Sequence, residues 1–128
     1  MNDIKEFNLL DVRKNSQIVN TLNKVYKLWG YEKISPSMIN NIDILKTSGV
    51  INQDELVTLV SNKSLCLRPE MTTSIVKLIS TRLINKKRPI RLWNNGIIFE
   101  KKDGVKNTQR FNERIQSGIC LLYTSPSP

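Results

Sequence analysis

A chain of 128 residues suffices for one domain with a buried core, and 39% apolar content is modest but compatible with a globular fold. No stretch approaches the ~20 uninterrupted apolar residues of a membrane helix, and residues 1–6 lack the basic-then-apolar pattern of a secretory leader. The composition therefore points to a cytoplasmic protein with no membrane partner. Histidine is absent and the formal net charge is +9, which invites a nucleic-acid reading.

That reading is set aside on composition. The chain has no alanine and is rich in Ile, Asn and Lys, the signature of an A/T-rich coding sequence, which enriches lysine without any nucleic-acid partner. Apart from the pair Arg13-Lys14, the basic residues are scattered except in the groups Lys86-Lys87-Arg88 and Lys101-Lys102. The first of these groups falls where a helix should end, and cations are favoured there. Solvated surface is the reading for both.

In chain order, Asp11 to Trp29 is helical. Ile18, Leu22, Val25, Tyr26 and Trp29 recur at three- and four-residue steps, with Asp11 as cap and Gly30 as terminator. Tyr31 to Ser35 reads as a short strand stopped by Pro36. Residues 38–54 are mixed, with Gly49 marking a turn. Leu56–Val60 and Leu65–Leu67 read as a hairpin around Asn62-Lys63. A second helix should begin near Pro69, with Glu70 in its first turn and Met71, Ile75, Leu78, Ile79 and Leu83 as its buried stripe. Ile90–Phe99 is a strand bent near Asn94-Asn95-Gly96. Lys101–Asn107 is a charged loop, and a further strand starts at Arg114. Hairpins and helices without regular strand–helix–strand alternation predict an α+β fold with an antiparallel sheet flanked by helices.

Few residues could carry chemistry. Cys66 between Leu65 and Leu67 reads as a small buried hydrophobe; without histidine no base serves a thiol nucleophile. No cluster has metal-ligand spacing, so neither metal nor cofactor is expected. Glu70, beside the start of a helix, could accept an ammonium, with the Thr72 hydroxyl in reach. The plain alternative is an acid at a helix start, which is common.

Taken together, Leu67-Arg68-Pro69-Glu70-Met71-Thr72-Thr73, Arg88-Pro89-Ile90-Arg91-Leu92-Trp93, Gly96-Ile97-Ile98-Phe99 and Gln116-Ser117-Gly118 resemble the amino-acid-binding half of a class II aminoacyl-tRNA synthetase core, in its histidyl branch. Trp29-Gly30-Tyr31 with Ile34-Ser35-Pro36 is similar to motif one, which builds the class II dimer interface. The resemblance spans residues 8–119 and implies that Glu70, Thr72 and Gln116 line a histidine-like pocket. Met71 stands where the family usually has Gly and crowds the entrance. The family also has a carboxylate two residues after Gly118, and Cys120 stands there instead.

One position departs in sign. Where a charging synthetase grips the ATP α-phosphate with an Arg after the motif-two Phe, Glu100 follows Phe99. A guanidinium offers phosphate two charged hydrogen bonds, whereas a carboxylate repels it. The resemblance is therefore to the non-charging relatives, regulatory subunits of ATP phosphoribosyltransferase in the first step of L-histidine biosynthesis. It implies a short-form catalytic subunit as partner, self-association through the motif-one region, and L-histidine as a ligand. A histidine–tRNA ligase fragment and an unrelated basic α+β domain are the alternatives.

The last nine residues, Cys120-Leu121-Leu122-Tyr123-Thr124-Ser125-Pro126-Ser127-Pro128, match a translated transposase-end sequencing adaptor. A natural Pro/Ser-rich tail is the alternative. The expected division is thus a partial synthetase-like domain over 1–119 and, over 120–128, an adaptor-derived tail that packs on nothing.

Overall fold

The computed structural model describes residues 2–4, 6–48, 53–103 and 109–123. In order these form β1 (Asn2–Ile4), α1 (Leu9–Leu28), β2 (Glu32–Lys33), β3 (Ile39–Asn41), α2 (Ile42–Ser48), a 3-10 turn (Gln53–Glu55), β4 (Leu65–Leu67), α3 (Thr72–Arg82), β5 (Ile90–Asp103) and β6 (Gln109–Leu122).

β5 and β6 form a long antiparallel hairpin, from Ile90 opposite Leu122 to Asp103 opposite Gln109. β1 adds in parallel to β6, and β2 in parallel to β5, giving the order β1-β6-β5-β2. The sheet is therefore mixed, antiparallel at its centre and parallel at both edges. A separate antiparallel pair joins β3 to β4.

α1 starts two residues earlier than its apolar pattern indicates, because Asn8 caps it: the Asn8 Oδ1 accepts the Asp11 N–H at 2.8 Å. It ends as read. Gly30 takes φ +79°, its N–H bonds the Lys27 carbonyl, and the Tyr31 N–H bonds the Tyr26 carbonyl, a left-handed stop that glycine adopts without Cβ strain. α1 buries none of its own residues. Ile18, Val25 and Trp29 are exposed, Trp29 at 74%.

The stripe read for the second helix holds at four of its five positions, while the half-buried Leu78 faces the other side of α3. Met71 and Ile79 are buried, and Ile75 and Leu83 pack beside Ile79, Ile90 and Leu92. The start differs: α3 begins at Thr72, three residues past Pro69. Of the hairpin read over 56–67, only β4 is a strand. Its other arm pairs through a Thr58–Cys66 bridge and the Leu67 N–H to Val57 carbonyl bond, and β4 gives its second edge to β3. Gly49 lies outside the described residues. Cys66 is fully buried among Ile42, Leu45 and Leu56, and burial pushes its thiol above the ordinary range.

Two expectations along β5 and β6 need correction. Lys101–Asp103 is strand, because continued pairing with 109–111 offers those backbone groups partners that a loop would leave to water; 104–107 lie outside the described residues. The tail expected to pack on nothing from Cys120 is seated as far as Leu122. β6 runs through residue 119 without a break, and Cys120 and Leu122 lie against the Ile79–Ile90–Leu92 core. The strand's two-residue period puts both on the inner face. Residues 124–128 lie outside the described residues.

Candidate functional site

Even-numbered residues of β5 and β6 face α3. Ile90, Leu92, Cys120 and Leu122 fill the lower end of that face. Above them Asn94 stands opposite Gly118, Gly96 opposite Gln116, Ile98 opposite Arg114 and Glu100 opposite Asn112. The polar end of this face therefore adjoins the N-terminus of α3.

A depression of about 350 Å³ lies there, lined by Met71, Thr72, Ile75, Asn94, Gln116 and neighbours on β6. The size falls in the lower part of the ~300–1,000 Å³ range of ligand clefts. Two of the three residues singled out in the sequence, Thr72 and Gln116, meet in it. Glu70 is not part of its lining. The Glu70 carboxylate turns back to accept the N–H groups of Thr72 (2.5 Å) and Thr73 (3.0 and 3.2 Å). It caps α3 from one residue ahead, a task Met71 performs with no side-chain bond. The plain alternative for Glu70 is thus realised. An ionised carboxylate has about four lone-pair sites, so acceptor capacity remains for an ammonium at the rim.

Arg68 was not singled out, and it holds the site in place. It is 5% exposed. Its Nε donates to the Ile97 carbonyl at 2.7 Å and its Nη1 to the Pro36 carbonyl at 3.0 Å. Its backbone N–H donates to the Met38 carbonyl and its carbonyl accepts the Phe99 N–H. One residue thus ties the β3–β4 pair to β5. Gly96 permits the approach, since a Cβ there would stand 2.7 Å from Arg68 Nη2 and 2.8 Å from Met71 Sδ. Met71 closes over β5 at that point and lines the depression. The sequence carried one signal for Arg68: it shares the inward face of an extended segment with Cys66.

Asn94 was read only as part of a bend. It is 2% exposed, and its Nδ2 has no partner. Its even position beside Leu92 was the available signal. On the opposite face Trp93 is buried, with the Tyr26 ring 5.6 Å away and the Lys33 ammonium 5.3 Å above it. Tyr26 also hydrogen-bonds Ser117 at 3.0 Å, and Asn95 donates to Asn23 at 2.8 Å. These contacts fix α1 across the hairpin.

Glu100 is the electrostatic feature of the upper face. Its Oε1 lies 3.0 Å from the Arg114 guanidinium and accepts from Asn112 Nδ2 at 3.2 Å. Both partners come from β6, Asn112 directly across and Arg114 diagonally. A guanidinium is therefore present on this face, but an acid neutralises it. Lys101 and Lys102 point to opposite faces, as their strand positions require. Among the described residues, no group of three metal-ligating side chains occurs, and no helix is long and apolar enough to cross a membrane.

Comparison with known proteins agrees with this geometry. A family profile described as "Histidyl-tRNA synthetase" matches residues 3–125. An ATP phosphoribosyltransferase regulatory subunit from Prochlorococcus marinus subsp. pastoris (strain MED4) is 70% identical over 122 residues, covering 95% of this chain and 32% of that protein. The chain thus spans about a third of the length of the curated relatives it matches. Among solved structures, an ATP phosphoribosyltransferase regulatory subunit/histidyl-tRNA synthetase from Bacillus halodurans C superposes with a TM-score of 0.70 at 20% identity, over 89% of this chain and 30% of that one. Apo S. aureus histidyl-tRNA synthetase gives 0.65 at 20% identity, over 91% and 30%. At such identities the structures speak for the fold alone, and that fold is the class II, α+β one.

Proposed function

The chain belongs to the histidyl-tRNA synthetase family, and from that premise we propose that it is part of a regulatory subunit of ATP phosphoribosyltransferase, acting in the cytoplasm in the first step of L-histidine biosynthesis. The subunit performs no chemistry itself. It assembles with the short catalytic subunit, supports its turnover and relays histidine feedback. The identity to the regulatory subunit from Prochlorococcus supports this, and one observation carries it: Glu100, after Phe99, held by Arg114 and Asn112. Adenylation needs positive charge at the α-phosphate. Here the acid opposes the phosphate directly and also occupies the nearest guanidinium.

A histidine-like ligand asks less of the site. The depression beside Thr72 and Gln116 offers a hydroxyl, an amide and the buried Asn94, and Glu70 stands at its rim for an ammonium. Self-association would use α1 and the segment from Trp29 to Pro36, where large apolar side chains are exposed.

The test is reconstitution. The gene product carrying this chain is mixed with the short-form catalytic subunit of the same organism, and phosphoribosyl transfer is followed with and without L-histidine. A rise in turnover on mixing is expected, with histidine lowering it. Gln116→Ala should weaken the histidine response about ten- to a hundredfold, the cost of one hydrogen bond in a partly buried site when the ligand is charged, while leaving complex formation intact. No rise in turnover on mixing would overturn the proposal.

A further inference from the structure

A second cavity lies away from the depression, on the other side of α3. It measures about 540 Å³ and is bounded by the chain from Ser35 to Asn40 and by the C-terminal half of α3. Lys77 and Arg82 line it, with the hydroxyls of Ser35 and Ser37, and no carboxylate does. Neither cation has an ion-pair partner among the described residues.

Two cations on a helix surface are ordinarily just solvated. Asn40 sets this place apart. It is 6% exposed, its Oδ1 accepts the Ser74 hydroxyl at 3.0 Å, and its Nδ2 has no partner. Buried donors without partners are rare, and each calls for an explanation. Ser37 has a donor to spare as well: its Oγ accepts the Ile39 N–H at 3.1 Å, which leaves its proton free. Thr81 adds none, since it donates to the Lys77 carbonyl at 2.7 Å.

We propose that this cavity binds a small phosphate dianion, either inorganic phosphate or a phosphomonoester. The charge decides the class. A phosphate group carries about −1.5 to −2 near pH 7, which matches one Lys and one Arg, whereas a single carboxylate leaves one cation uncompensated. Arg82 supplies the planar fork and Lys77 the point charge that phosphate sites combine. Asn40 and Ser37 supply neutral donors from the opposite wall. The α3 C-terminus opposes an anion, but its partial charge is roughly −0.5, against two full positive charges. The proposal is independent of the histidine-like depression and of the regulatory reading.

The experiment is calorimetric titration of the gene product carrying this chain with inorganic phosphate, glycerol 3-phosphate and acetate. Both phosphates should bind and acetate should not. The double variant Lys77→Gln/Arg82→Gln should lose about a hundredfold or more in affinity, as expected for two charged hydrogen bonds. Lys63→Gln, at an exposed position outside the cavity, should change nothing. Tighter binding of glycerol 3-phosphate than of phosphate assigns the site to a phosphorylated metabolite, and the reverse assigns it to the free ion; either order sustains the site. Phosphate affinity unchanged in the double variant, acetate bound as tightly as phosphate, or no phosphate binding up to about 10 mM would each overturn the proposal. Both substitutions are at exposed positions, so the variants remain folded, which a circular dichroism spectrum checks.

Discussion

A single arginine and a single glycine set how close the two sheets of this chain can come. Arg68 reaches the Pro36 and Ile97 carbonyls with its side chain while its backbone bonds Met38 and Phe99. Burial draws the guanidinium below its ordinary range, though an arginine stays charged at any pH of interest. Its positive charge is tolerated inside because carbonyl oxygens surround it. Arg68→Ala should therefore destabilise the gene product by about 3 kcal/mol or more, since charged hydrogen bonds are worth ~1.5–3 kcal/mol each and two carbonyls lose their donor. Denaturant midpoints of wild type and variant measure this, and a loss below about 1 kcal/mol would show that water replaces the arginine freely. Residue-level reading of the sequence reached Glu70, Thr72, Gln116 and Glu100 through resemblance. Arg68 is illegible because it follows β4, a three-residue strand that gives the two-residue period few repeats, and Asn94 because Asn94-Asn95-Gly96 reads as a bend although it lies inside the 14-residue β5.

Elements were legible where periodicity is long and partners are local. α1 and α3 were found to within a few residues, and Gly30 was placed as a terminator for the reason the backbone shows, a positive φ. β3 and α2 were illegible, because Ser37 to Asn41 has no alternation and owes its strand to β4, which lies 24 residues further on. Lys101–Asp103 was misread for the same reason, as pairing with β6 outweighs local polarity. Periodicity also reports that a helix face is apolar without saying what covers it. The α1 face stays open in this chain, with Ile18, Val25, Leu28 and Trp29 exposed. If that face seats a second subunit, Trp29→Glu should lower the assembled mass of the gene product in analytical ultracentrifugation while leaving its helical circular dichroism unchanged. An unchanged mass together with lower stability would instead assign the face to the protein's own further chain.

Over the described residues, large apolar side chains and long stretches of sheet edge are exposed together. Among the described residues β2 pairs only with Leu92 and Trp93 of β5, and β1 only with 109–111 of β6, so most of both outer edges has no strand partner there. Ile97, Ile115, Ile119 and Leu121 are exposed on the face of the hairpin toward α1. Unpaired edges beside exposed aliphatics template association. The isolated 128-residue chain should aggregate or stay partly folded, and a sharp, reversible thermal transition from a monomer would contradict this. The fold class was readable because the α+β pattern and the motif order survive in about a third of a longer relative. The mixed character of the sheet was not, since edge strands of three and two residues leave almost no pattern.

The proposed regulatory reading rests on Glu100, a carboxylate paired with Arg114 and Asn112 at the position after Phe99 where the resemblance implies that a charging synthetase carries an arginine. Histidine-dependent ATP–pyrophosphate exchange by the gene product alone tests this most directly, because it registers adenylate formation without tRNA or any partner subunit. The account predicts exchange indistinguishable from a no-enzyme control. Robust exchange that follows histidine concentration would contradict it and make the protein a ligase despite Glu100.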